Sequence, residues 1–167
     1  MDNTSSFIND YFKNASRTFN HKMSALESSD NQLIYLIIGL TGECKELKDA
    51  FISYKHSPNP ESKLKIVLEL GDVFWHNFLL YERLTNEIEN ITSYPNNYKY
   101  ATEIEIDILL DKSLDLLELM KKIVYHKHSI NLEFIKCYLG NIYDHCYKIA
   151  NGLDLTIQEG LEANVEK

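Results

Sequence analysis

Apolar side chains recur along this chain with the 3.6-residue period of amphipathic helices. No stretch alternates with period two for long enough to require a strand. The spacing predicts a first helix over about 6–23, with Phe7, Ile8, Tyr11, Phe12, Ala15 and Phe19 on its apolar side. Ser28-Ser29-Asp30-Asn31 reads as a turn and helix cap. A second helix follows over about 32–54, through Leu36, Ile37, Leu40, Leu47, Ala50 and Phe51. His56-Ser57-Pro58-Asn59-Pro60 is a loop. Pro60, with its fixed φ, suits the first turn of a third helix that runs to about 84 through Leu64, Val67, Leu68, Phe74, Trp75 and Phe78. The polar stretch 92–100, with Pro95 and two Asn, is the best linker. A fourth helix over about 101–126 carries Ile104, Ile108, Leu110, Leu114, Leu117 and Met120. A fifth covers about 131–150, with Gly152 placed to end it, and a sixth covers about 155–167. The expected architecture is all-α, a single domain over 1–167 built as an antiparallel helical bundle.

The two halves resemble each other, over about 30–91 and 102–164. Glu46-Leu47 precedes Lys55-His56-Ser57 at the spacing at which Glu118-Leu119 precedes Lys127-His128-Ser129. Leu70-Gly71-Asp72 followed by His76 matches Leu139-Gly140-Asn141 followed by His145, with the inter-helix loop three residues shorter in the second copy. These matches point to a tandem duplication, an intrachain pseudo-dimer. The differences carry chemistry. Glu43 and Glu46 correspond to Asp115 and Glu118, whereas Glu69 becomes Tyr138 and Asp72 becomes Asn141. One competent metal site is therefore expected, on the first copy.

Six Gly and three Pro in 167 residues favour long helices. A formal net charge of −8, from 17 basic and 25 acidic side chains, argues against a nucleic-acid polymer as partner, because phosphate contacts need clustered Lys and Arg. It leaves a nucleotide substrate open. Cys44, Cys137 and Cys146 are widely spaced and read as reduced, partly buried thiols of a cytoplasmic protein. The polar Met1–Ser6 does not begin a signal peptide, and no apolar run reaches the ~18 residues of a membrane span. The bias toward Asn, Ile, Lys and Tyr points to an AT-rich genome, a phage or a low-GC bacterium; for a phage product the compartment is the host cytoplasm.

Two carboxylate pairs change the picture most: Glu43 with Glu46, and Glu69 with Asp72. Residues three apart share a helix face. If the two helices pack antiparallel with these faces together, four carboxylates converge, and their mutual repulsion calls for a hard cation. All-oxygen ligands fit Mg²⁺, with Mn²⁺ as the alternative. An isolated pair of this kind is usually a solvated face. Here both pairs are flanked by apolar residues, and Gly42 and Gly71 stand beside them. Gly costs about 1 kcal/mol in a helix relative to Ala, so its presence suggests close helix approach or ligand access.

These residues resemble the MazG-like branch of the all-α nucleoside triphosphate pyrophosphohydrolases, the superfamily of the dimeric dUTPases and dCTP pyrophosphatases. The signature is ExxE followed by ExxD; here 22 residues separate Glu46 from Glu69. Gly39-Leu40-Thr41-Gly42-Glu43 is similar to the family's GLxGE, and Glu69-Leu70-Gly71-Asp72-Val73-Phe74-Trp75 to its ELGDxxW. Asn14-Ala15-Ser16-Arg17-Thr18 resembles the A-x-R-T segment of small phage members, and Asn164 to Lys167 the N-x-x-K segment that helps close the nucleotide pocket. The resemblance is strong over 7–84 and looser over 114–167. Two departures stand out, Cys44-Lys45 where small residues are common and the degenerate second copy.

The resemblance implies hydrolysis of a (d)NTP to (d)NMP and pyrophosphate with Mg²⁺. It assigns Glu43, Glu46, Glu69 and Asp72 to metal binding and catalysis. Arg17, Lys48 and Lys55 become candidates for phosphate contact, and Asn164 and Lys167 for sugar or phosphate contact. Phe12, Phe19 or Trp75 could stack on a base. Members generally assemble sites between subunits, which implies a homo-oligomer, a dimer of pseudo-dimers or a dimer to tetramer. Similar proteins often continue past the position of Lys167 with a basic segment ending in Arg-Tyr, which leaves a longer native product open. The alternative is a non-catalytic nucleotide-binding or regulatory protein that keeps the fold. A di-metal oxidase would need paired Glu-x-x-His motifs, which this chain lacks. His76 therefore reads as structural, and Trp75 as core.

Overall fold

In the computed structural model, residues 10–15, 28–85, 102–129 and 131–165 are described. Residues 10–15 are helical and are designated α1. Four long helices follow, α2 (Ser29–His56), α3 (Pro60–Thr85), α4 (Thr102–His126) and α5 (Leu132–Gly152), and then the short α6 (Ile157–Val165). There is no strand among the described residues. The all-α bundle expected from the apolar period is what the chain forms. The proposed linker at 92–100, most of the first predicted helix, Arg17, Phe19 and Lys167 lie outside the described residues.

The helix ends follow local chemistry. Ser28 caps α2, its side chain accepting from the Asn31 amide at 3.2 Å. At the start of α3, Asn59 Oδ1 accepts from the Ser62 amide at 2.8 Å while Ser62 Oγ accepts from the Asn59 amide at 3.2 Å, and Pro60 takes the first helical position. Gly152 does not itself turn the chain after α5. It is the last helical residue, and Asp154 takes the left-handed conformation (φ 51°). The Leu155 amide bonds the Ala150 carbonyl at 2.9 Å and the Asp154 amide bonds the Asn151 carbonyl at 3.3 Å. That pairing is a Schellman closure, and it buries Leu155.

The short loop Ser57–Asn59 turns α2 back along α3. α2 also packs against α4, α4 against α5, and α5 against α3, so the four long helices close a ring around one core. Leu36, Leu40, Phe74, Phe78, Leu116 and Ile142 lie in its interior. Phe12 of α1 is fully buried and stacks on Phe78 with ring centroids 3.7 Å apart. Three residues expected in apolar stripes are exposed instead: Leu64, Ile104 and Leu114. Leu64 precedes Ile66, the first buried residue of α3, and Ile104 lies between buried Thr102 and Ile106, about 200° from each and so on the far side of α4 from the packed face. Leu114 lines an open groove between α2 and α4 with Ile38, Leu110 and Leu117.

Cys44 and Cys146 are fully buried and Cys137 is exposed, so the three thiols are not alike. Burial pushes the Cys44 thiol up to about 12 and holds that of Cys146 well above the ordinary thiol value, both out of reach of neutral-pH chemistry. One fast-reacting thiol per native chain is the expected result of titration with a chromogenic disulfide, rising to three in denaturant. Two or three fast thiols in the native protein would contradict the burial of the core pair.

Candidate metal centre

Glu43 lies on α2 and Glu69 and Asp72 on α3. The antiparallel turn brings them together, and one carboxylate oxygen from each lies within 4.8 Å of the others. Glu69 is only 8 % exposed, while Glu43 and Asp72 are half-buried. Three of the four acids singled out in the sequence therefore meet. Glu46 is exposed and stands outside this group. Three residues advance about 300°, about 60° short of a full turn, so the two acids of each pair diverge by about 60°. On α3 that offset keeps both Glu69 and Asp72 in the group, whereas on α2 it leaves Glu46 on the solvent side.

Asp72 is held from two sides. Its Oδ1 accepts a hydrogen bond from Asn164 Nδ2 on α6, and Asn164 Oδ1 in turn accepts from the Tyr11 hydroxyl of α1 at 2.6 Å. Burial, and then the charge of Asp72, raise the Tyr11 pKa, so this hydroxyl stays protonated and donates. The Asp72 carbonyl accepts from His76 Nδ1 at 3.1 Å. The His76 ring lies against Gly39, where a Cβ would collide with it. Burial lowers the His76 pKa against the opposing pull of Asp72, keeping the imidazole neutral. Its position between α2 and α3 is that of a packing residue.

The two glycines beside the acids differ in purpose. A Cβ on Gly71 would run into the Gly160 carbonyl oxygen of α6 and lie 3.2 Å from the Asn164 Cβ. Gly71 thus permits the close α3–α6 crossing that delivers Asn164 to Asp72. A Cβ on Gly42 would meet nothing within 4 Å.

The candidate phosphate cations sit elsewhere. Lys48 pairs with Asp107 at 2.7 Å and Lys55 with Glu103 at 2.6 Å, both acids on α4. Five residues beyond Glu43, Lys48 is about 140° round the helix, on its α4 flank. Of the candidate base-stacking rings, Phe12 is enclosed in the core and Trp75 is half-buried against it. Tyr11 is the functional candidate that sequence reasoning placed only in an apolar stripe. Its hydroxyl bonds a residue 153 positions away, and no local pattern marks such a link.

The corresponding place on the second hairpin is filled differently. The Tyr138 hydroxyl donates to Asp115 Oδ2 at 2.6 Å, so the counterparts of Glu69 and Glu43 touch each other directly. Partial burial, and then the bond to Asp115, push the Tyr138 hydroxyl up to about 12. Lys112 Nζ lies 5.1 Å from the Tyr138 ring centroid, and Glu118 pairs with Lys121 at 2.8 Å. Between the hairpins, Thr41 Oγ1 lies 3.4 Å from the carbonyl of Ser113, its counterpart in the repeat alignment. No protein-family model, curated protein or solved structure matches the chain.

Proposed function

We propose that this protein is a Mg²⁺-dependent nucleoside triphosphate pyrophosphohydrolase, converting a (d)NTP to (d)NMP and pyrophosphate. The observation that carries the reading is the meeting of Glu43, Glu69 and Asp72 from two antiparallel helices. The fit to the ion is good. Metal–oxygen bonds of about 2.1 Å place octahedral ligands roughly 3.0 to 4.2 Å apart, and side-chain rotation closes a 4.8 Å spread onto one centre. Oxygen-only donors match a hard cation. Mg²⁺ bound there would neutralise phosphate charge and acidify a water. A carboxylate of the set not spent on the ion would accept that water's proton.

The motif resemblance supplies the substrate class, and the filled second hairpin supports one centre per chain. The placement of Thr41 against Ser113 favours the reading of the two hairpins as duplicated units around a pseudo-twofold. A dimer of such chains in the cytoplasm belongs to the same proposal. No described helix is long and apolar enough to cross a membrane.

A second reading, nucleotide binding without turnover, draws on the engagement of Lys48 and Lys55 with α4. Pyrophosphate release from a panel of NTPs and dNTPs, with Mg²⁺, Mn²⁺ or chelator, separates the two. Metal-dependent release from at least one nucleotide is expected. Nucleotide binding without release would favour the second reading, and neither binding nor release would overturn both.

A further inference from the structure

We propose that Asn164 and Tyr11 form a positioning relay that fixes the Asp72 carboxylate, so that the metal centre is complete only when α6 is docked on α3. This rests on the metal-centre reading above and extends it to residues that touch no ion.

The relay is short and directional. The Tyr11 hydroxyl donates to Asn164 Oδ1 at 2.6 Å, and Asn164 Nδ2 donates to Asp72 Oδ1. A carboxylate on a two-bond side chain swings freely about its last torsion. An amide donor on one oxygen sets the plane of the group. Tyr11 then sets the amide, since an Asn side chain that accepts from the hydroxyl must present its NH₂ to Asp72. Tyr11 is only 5 % exposed, so its own position is fixed by the core rather than by solvent. The three residues come from α1, α6 and α3.

The backbone crossing determines the register. Gly71 precedes Asp72, and Gly160 stands one turn before Asn164. A Cβ on Gly160 would lie 3.3 Å from the Gly71 nitrogen and from the Val67 carbonyl oxygen. The two glycines let α6 approach until Asn164 reaches Asp72. The part of Asn164 in this arrangement is to orient a ligand, which differs from direct contact with a sugar or phosphate.

The test is Mn²⁺ binding to the full chain by electron paramagnetic resonance, for wild type, Asn164→Leu, Tyr11→Phe, the double variant and Asp72→Asn. Thermal unfolding in chelator checks that each is folded. Outer-shell partners of metal ligands typically contribute 10–100-fold in affinity. Asn164→Leu should weaken Mn²⁺ binding by about 10-fold or more and broaden the bound spectrum as the carboxylate field loses its fixed geometry. Tyr11→Phe should give a smaller loss of the same kind. The double variant should be no worse than Asn164→Leu alone, because both act through one chain of bonds. Unchanged affinity and lineshape in Asn164→Leu, or additive losses in the double variant, would overturn the relay while leaving the centre intact. If Asn164→Leu does not fold, an unaltered Tyr11→Phe overturns it. If wild type binds no Mn²⁺, or Asp72→Asn binds as wild type does, the metal-centre reading fails and the relay with it.

Discussion

Glu69→Gln is expected to lower metal-dependent pyrophosphate release by about 10³-fold while the bundle stays folded. Gln keeps the size and one oxygen of Glu69 but removes a charge from a position only 8 % exposed. In such a setting a neutral amide cannot replace a carboxylate facing a divalent ion. Metal stabilisation of developing phosphate charge is of the order of several kcal/mol, and each 1.36 kcal/mol is a factor of ten in rate. Thermal unfolding gives a second readout without turnover. At 100 times its dissociation constant a ligand of the native state adds about 2.7 kcal/mol, which for a chain of this size raises the midpoint by roughly 5–11 °C. Wild type should show that rise with Mn²⁺, and Glu69→Gln should lose it. Glu46→Gln should keep it, because Glu46 is exposed and outside the three-carboxylate group. Equal loss of the Mn²⁺ shift in both variants would place Glu46 among the ligands and redraw the centre.

The helices were legible because their signals are local. The apolar period, the Ser28 cap and Pro60 at a first helical turn each act within a few residues, and α2 to α5 begin and end close to where those signals lie. The convergence of Glu43 with Glu69 and Asp72 was legible for the same reason, since a short loop can only fold α3 back along α2. What a period cannot say is which flank of a helix meets which neighbour. The resemblance offered Lys48 and Lys55 as phosphate cations, and the structure places them on the α4 side, paired with Asp107 and Glu103. Asn164 and Asp72 were both legible as candidate site residues, but the Tyr11–Asn164–Asp72 chain of bonds was not. It joins the beginning, middle and end of the chain, and Tyr11 has the spacing of any core aromatic. The filled second site was half visible. The loss of Glu69 and Asp72 could be read as Tyr138 and Asn141, but not that the Tyr138 hydroxyl would occupy Asp115.

Gly42 and Gly71, each one residue from a carboxylate of the centre, are expected to respond to alanine with opposite signs. Both lie inside helices, where exchanging Gly for Ala gains about 0.5–1 kcal/mol through backbone entropy. At Gly42 nothing opposes that gain, because an added Cβ meets no atom within 4 Å. Gly42→Ala should raise the midpoint of thermal unfolding by roughly 1–4 °C. At Gly71 the methyl would strike the Gly160 carbonyl oxygen, which is helix backbone and cannot rotate aside. Overpacking of this kind costs typically 1–3 kcal/mol, and more where backbone must separate. Gly71→Ala should therefore lower the midpoint by roughly 2–8 °C. Since α6 carries Asn164 to Asp72, the same substitution should also weaken Mn²⁺ binding, whereas Gly42→Ala should leave it unchanged. A rise in midpoint for both variants would mean that α6 does not rest on Gly71, and the docking on which the relay depends would fall with it.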